Sequence, residues 1–543
     1  MRASATTAAT RPAAGGEPAV TEPDDAAFDY VVVGGGSAGC ALTARLSEDP
    51  DVTVCLLEAG PSDVDDPAIL RLTDWMALLD SGYDWDYLVE PQERGNSFLR
   101  HARAKVLGGC SSHNSCIAFW TPREDLDEWA ATGCEGWSAD ECWPLIARLE
   151  NNDGLWDGHG RSGPVTIMQV PPDDPCGVAL LEAAAAVGLP TVRFNEGATV
   201  CEGAGFFQIN READGTRASS SRAYLHPIMG KRPNLDVRTG AWASRVLFEG
   251  TRAIGVEYQQ DIGPGRRAVT ARREVVLSAG AIDSPKLLML SGIGPAEHLR
   301  EIGIDVLVNA PGVGANLDDH VEGLVMWEAA QPMVTRSTQW WEIGLFTRTR
   351  EGLDRPDLMM HYGSVPFDLN TVRWGYPTTD NGFCLTPNVT RGRSRGTVRL
   401  RSRDFRDRPR VDPRYFTDPD GHDMAVMQAG VRLARRIGEQ QALKEWVARE
   451  LAPGPDAVTD DELADYIGKT HNTVYHPACT AKMGTADDAM AVVDPQLRVR
   501  GVAGLRVADA SIMPFLPAIN PNITCYMIGE KASDLLRASW PSP

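Results

Sequence analysis

Gly34-Gly35-Gly36-Ser37-Ala38-Gly39 follows directly on the apolar run Asp29–Val33 (DYVVV), and this junction constrains the fold more than any other stretch of the chain. The run suits a buried parallel strand. Ala41–Leu46 continues the glycines as helix, and Thr53–Leu57 (TVCLL) reads as a second strand leading into Glu58, 19 residues beyond Gly39. In this strand–turn–helix–strand order Gly34 makes the tight turn, Gly36 lets backbone approach a pyrophosphate, and Gly39 lets helix pack on strand. The pyrophosphate would rest on the helix N-terminus, and Glu58 would accept hydrogen bonds from a ribose. The pattern predicts a dinucleotide-binding unit and leaves FAD and NAD both open.

One such unit does not use up the chain. Its 543 residues exceed the roughly 250–300 at which a single core stops growing, so at least two domains, or one unit with an inserted lobe, are expected. The formal charge of -21, from 53 Lys and Arg against 74 Asp and Glu, argues against a nucleic acid or an anionic membrane as partner and is compatible with a small cation. No apolar run approaches the roughly 18 residues of a membrane span. Residues 1–27, rich in Ala, Thr, Pro and Gly, read as a flexible tail, with order expected from Phe28. Eleven cysteines without a C-x-x-C spacing predict free thiols in a reducing, cytoplasmic setting. Strand-like runs stand near Val165–Val170, Leu235–Val237 and Arg273–Ala279, and Asp423–Ile437 has the spacing of an amphipathic helix.

Three further segments carry a resemblance. They are Arg103–Asn114 (RAKVLGGCSSHN), Gly280–Gly294 (GAIDSPKLLMLSGIG), and the C-terminal pair His476–Thr480 (HPACT) and Asn520–Thr524 (NPNIT). With the N-terminal glycines they resemble the glucose–methanol–choline (GMC) oxidoreductases, flavoenzymes that oxidise alcohols, over residues 29 to about 530. Gly109–Cys116 and much of 322–420 are similar to the choline-oxidising members. The resemblance implies an α/β fold, α+β overall: a Rossmann-like FAD-binding domain with an interleaved substrate-binding domain on an antiparallel sheet. The flavin domain is expected to take residues 28–172, 213–320 and 474–543, and the substrate domain 173–212 and 321–473.

The cofactor implied is FAD, covalently attached through His113. Gly34, Gly36, Gly39 and Glu58 would then serve its ADP half. Val106, Gly108 and Gly109 would face the isoalloxazine on a loop whose small residues permit close approach. Asn114 and Pro521 join this set, and Asp509 and Ala510 would hold the ribityl and pyrophosphate region.

Oxidising an alcohol by hydride loss requires that its hydroxyl proton be taken, which suits a neutral imidazole. The resemblance gives that role to His476. An amide cannot take a proton at pH 7, so Asn520 should donate a hydrogen bond to the developing alkoxide, with His361 and Ser115 beside it and Val474 on the oxygen side. A quaternary ammonium has no N–H donor, so its recognition falls to a carboxylate and aromatic faces. The matching residues are Glu322, Trp75, Trp341 and Tyr475, with Phe367 covering the pocket.

The activity implied is oxidation of choline, through betaine aldehyde, to glycine betaine. Hydride passes to flavin N5 and dioxygen becomes hydrogen peroxide, in a homodimer that needs no metal. An oxidase or dehydrogenase for another primary or amino alcohol, a hydroxynitrile lyase on the same fold, and a non-catalytic flavin protein remain open. Two departures from the family pattern, Cys479 in place of a glycine and Phe515-Leu516-Pro517 in place of a more polar segment, are expected to lie near the catalytic pair and alter the pocket.

Overall fold

The computed structural model describes residues 21–197, 202–260, 265–333 and 338–540. Val31, Val32, Val54, Leu56, Val275 and Val276 are fully buried, which is what the continuous apolar runs of a covered parallel sheet require. Tyr30–Val33 pairs in parallel with Val54–Leu57 on one side and with Glu274–Leu277 on the other. Leu235–Arg238 continues the sheet beyond Val54–Leu57, and Leu505–Val507 adds to Val275–Leu277. Strands Ala241–Glu249 and Arg252–Gln260 extend it in antiparallel fashion from the near half of Arg266–Leu277.

The first strand begins at Thr21, ahead of Phe28, because its backbone continues the ladder to Arg266–Ala268 where no apolar side chains announce it. Residues 1–20 of the expected tail lie outside the described residues.

The glycine turn forms as read. Gly34 has a φ of +102°, and a Cβ on Gly39 would fall 2.0 Å from the Gly34 oxygen, so helix Ser37–Leu46 can meet the strand only through glycine. Against that helix lies Asn522–Ser539, where a Cβ on Gly529 would come within 2.3 Å of the Ala38 oxygen.

The second sheet is antiparallel and eight-stranded. Its order is Val447–Ala452, Val325–Ala329, Gly382–Val389, Leu358–Gly363, Ile343–Thr347 and Gly203–Phe206. The short strands Val321–Glu322 and Asn472–Thr473 join at Gly382–Val389, so that Glu322 stands directly between Asn472 and Asn388. Helix His422–Gly438 packs its buried face (Val426, Met427, Val431, Ala434) on Gly382–Val389, within a residue of the expected bounds at each end. Among the described residues Cys40, Cys110, Cys116, Cys134, Cys142, Cys176, Cys384, Cys479 and Cys525 are free thiols. No helix among them is long and apolar enough to cross a membrane.

Candidate active site

A single cavity collects side chains from both sheets and encloses about 1910 Å³ of empty space, its open mouth included. Gly34, Gly36, Glu58, Gly109, His113, Asn114, Asp509, Ala510 and Pro521 line it, and so do His476, Asn520, His361, Ser115 and Val474. Glu322, Trp75, Trp341, Tyr475 and Phe367 complete the wall. Residues as far apart in the chain as Gly34 and Pro521, 487 positions, thus meet in one space. Gly39, Val106 and Gly108 stand behind this wall. Val106 turns its side chain away into a small core with Ile69 and Leu78, so only its backbone is available to the cavity side. Gly108 has a φ of +90° and its amide donates to the Gly35 oxygen at 2.7 Å, which binds the second glycine loop to the first.

A dinucleotide flavin fits the residues present. A Cβ on Gly36 would meet nothing nearer than 3.9 Å, so the glycine leaves room for a ligand where the fold itself demands none. Glu58 accepts from the amides of Gly35 (2.9 Å) and Gly60 (2.7 Å), each oxygen keeping a lone pair for a hydroxyl. Burial pushes its carboxyl up to about 7. Asp509 caps the turn at Ser511 and accepts from the Gly280 amide at 2.9 Å, joining two segments of the wall. Asn522 Nδ2 and His113 Nε2 are buried without a hydrogen-bond partner, and Asp84 Oδ2 stands 3.7 Å from that His113 nitrogen. Burial lowers the His113 imidazole below its usual range, leaving it neutral and nucleophilic. Among the described residues no group of His, Cys, Asp and Glu is placed to hold a metal ion.

At the other end of the cavity five polar side chains form one hydrogen-bonded chain. Asn388 Nδ2 is 3.2 Å from His361 Nδ1, and His361 Nε2 is 3.4 Å from Asn520 Oδ1. Asn520 Nδ2 is 3.4 Å from His476 Nε2, and His476 Nδ1 is 2.9 Å from His320 Nδ1. The amide nitrogens only donate, which orders every proton along the chain. Asn388 donates to His361 Nδ1, His361 Nε2–H to Asn520 Oδ1, and Asn520 to His476 Nε2. His476 therefore carries its proton on Nδ1, shared with His320, and presents an unprotonated Nε2. Burial holds His361 and His320 down to about 4 and His476 well below its usual range, so all three imidazoles are neutral.

Asp319 fixes this end from behind. It accepts from the His476 amide (2.9 Å), Thr473 Oγ1 (2.6 Å) and Tyr415 (2.5 Å), and pairs with His101 at 3.2 Å. Burial alone would raise its carboxyl, but these partners keep it well below the usual carboxylate range. The Tyr475 amide bonds Thr473 Oγ1 at 2.7 Å, and Tyr475 takes a φ of +63°, the bend that turns both Tyr475 and His476 into the cavity.

Glu322 lies among the aromatic residues. Trp75 donates to the Gln339 oxygen at 2.8 Å, and Trp341 and Phe367 meet edge to face at 5.2 Å. Asn472 Nδ2 donates to Glu322 Oε1 at 3.1 Å and to the Tyr475 hydroxyl at 3.3 Å. Burial pushes the Glu322 carboxyl up to about 8, with the Asn472 bond opposing.

Asp319, His320, Asn388 and Asn472 carry no motif that marks them as working residues. Their nearness in sequence to residues named by the resemblance (Asp319-His320 before Glu322, Asn472 before His476) is the one signal they carry. The two departures lie beside the hydroxyl end but behind the wall of the cavity, with the Pro517 backbone against the His320 ring. Cys479 is buried in the nucleotide-side core at a φ of +72°, and Leu516 joins the same core, with Phe515 packed edge to face on Trp129. None of these side chains lines the cavity.

Family models described as GMC oxidoreductase match residues 28–322 and 392–529. The chain is 64% identical over 520 residues to choline oxidase of Arthrobacter globiformis, covering 95% of each chain. It is 38% identical to the mitochondrial choline dehydrogenase of Mus musculus, over 94% of this chain and 89% of that one. Among solved structures, pyridoxine 4-oxidase from Mesorbium loti superposes with a TM-score of 0.86 at 34% identity, covering 93% of this chain and 98% of the other.

Proposed function

The chain belongs to the GMC oxidoreductase family, and from that premise we propose that it is an FAD-dependent oxidase of choline. The observation that carries the substrate is Glu322, a buried carboxylate that lines the cavity with Trp75, Trp341 and Tyr475 and has no cation among the described residues to neutralise it. A trimethylammonium group supplies the missing charge without needing a hydrogen bond.

At the hydroxyl end, His476 Nε2 takes the alcohol proton, and the charge this creates on the ring is offset by Asp319 beneath it. The Asn520 amide nitrogen faces the oxygen as it becomes an alkoxide, held in place by the His361 bond to its carbonyl oxygen, with Ser115 on the same wall. FAD, when bound, would supply the hydride acceptor, with dioxygen as final oxidant and hydrogen peroxide as product. Val474 borders the face by which oxygen arrives. The hydrated aldehyde offers the same residues a second hydroxyl, and its oxidation gives glycine betaine. Gly34, Gly36, Glu58, Gly109, Asn522 and Asp509 would hold the flavin, and His113 would join it covalently.

The two sheets support a flavin domain of residues 28–172, 213–320 and 474–543 and a substrate domain of 173–212 and 321–473. A cytoplasmic homodimer completes the reading, and the free thiols support its reducing compartment.

Choline added in air should release peroxide, and choline added without oxygen should bleach the yellow flavin. Dye reduction without peroxide would instead make the protein a dehydrogenase, as the murine relative is named. Acid precipitation should leave the flavin on the polypeptide, and His113→Ala should release it.

A further inference from the structure

We propose that Asn472 is the positioning residue of the cation end: it orients the Glu322 carboxylate and ties it to the covering loop 367–375. The proposal rests on the reading of Glu322 as partner of the ammonium group.

Three observations carry it. Asn472 stands directly opposite Glu322 in an antiparallel ladder, where facing side chains share one side of the sheet. Its amide is used at every atom: Nδ2 donates to Glu322 Oε1 (3.1 Å) and to the Tyr475 hydroxyl (3.3 Å), while Oδ1 accepts from Asn370 Nδ2 at 3.3 Å. Asn370 belongs to the loop that begins with Phe367, whose ring closes on Trp341 at 5.2 Å.

The chemistry explains why an amide occupies this place. Glu322 needs one oxygen fixed so that the other faces the ligand. Arginine or lysine would fix it too, but would cancel its charge and repel a cationic substrate. A neutral donor holds the carboxylate and leaves the charge intact. The same amide holds the Tyr475 phenol, so one side chain sets the angle between carboxylate and aromatic face. Its oxygen is satisfied by the covering loop, so loop and carboxylate are held by a common group. When the loop lifts, Asn472 loses an acceptor bond and Glu322 loses part of its anchor.

The test compares choline with its uncharged isostere 3,3-dimethylbutanol on the flavin-loaded enzyme. Asn472→Ala should raise KM for choline roughly tenfold or more, the scale of a lost hydrogen bond to a charged group, while KM for the isostere moves by less than about threefold. Asn370→Ala should act in the same direction with a smaller shift. Glu322→Gln serves as reference. If it discriminates between the two alcohols and Asn472→Ala does not, the proposal is overturned and the Glu322 reading stands. If Glu322→Gln itself weakens both alcohols equally, that reading falls and takes the proposal with it. Should Asn472→Ala fail to accumulate as flavoprotein, Asn472→Gln, which keeps the amide but displaces it by one methylene, is judged by the same ratio.

Discussion

The two ends of the cavity are buried alike, and burial does opposite things to them. At the hydroxyl end it lowers His361 and His320 to about 4 and holds His476 well below its usual range, so the imidazoles give up their charge. At the cation end it raises Glu322 to about 8, so the carboxyl tends to keep its proton. Desolvation penalises whichever form is charged, and each end rests neutral until the substrate arrives. A choline molecule then presents a permanent cation to one end and a removable proton to the other. The proton-accepting end should govern the rate of the chemical step, and the carboxylate end the affinity.

The largest effect expected from this division is at His476. His476→Ala should lower the rate of anaerobic flavin reduction by choline roughly 10²- to 10⁴-fold, the usual worth of a positioned general base, with flavin content retained. Glu322→Gln should leave that limiting rate much closer to normal while raising KM. Equal losses of limiting rate in both variants would erase the distinction between the ends.

An intermediate effect lies in pH. Binding a cation needs Glu322 ionised, and its carboxyl in the free site holds its proton up to about pH 8. A proton must therefore leave as the cation enters, and affinity should rise with pH, by up to about tenfold per unit, until it levels near pH 8. The imidazoles, neutral above about 4, do not titrate in this window. The same sign governs stability. A carboxyl raised on folding stabilises the fold below its unfolded value and loses that contribution as pH rises through 8, so thermal protection by a trimethylammonium ligand should grow over the same range. Calorimetric titration of tetramethylammonium from pH 6 to 9 measures it, and a flat profile would remove Glu322 as the partner.

The cation end was less legible in the sequence than the nucleotide end, for a geometrical reason. Strand, glycine turn, helix, strand and Glu58 follow one another within 30 residues, Asp29 to Glu58, so local spacing discloses them. The row Asn472–Glu322–Asn388 is assembled by strand register across 150 and 66 positions of chain. No periodicity reports such a pairing. His476, Asn520 and Glu322 were reached through resemblance, which transmits motif positions. It did not transmit His320, Asp319, Asn388 or Asn472, because their work is to hold other side chains. Backbone register also explains the early start at Thr21, where Glu22 and Pro23 continue a ladder that their side chains do not advertise.

The smallest effect expected is at Cys479, and it sharpens the boundary of the site. The family pattern has glycine there, and the backbone supplies the reason: a φ of +72° lies in the left-handed region that glycine enters without strain. Its amide donates to the Ala510 oxygen at 3.1 Å, so the conformation is imposed by the wall of the cavity, while the thiol packs into the core behind it. Cys479→Gly should relieve about 1–2 kcal/mol of left-handed strain and lose a buried side-chain contact of similar size. The melting temperature should then stay within a few degrees, and KM for choline within about twofold. A shift in KM of tenfold or more would mean that this bend sets the placement of His476, three residues earlier, and that the hydroxyl end extends into the nucleotide-side core.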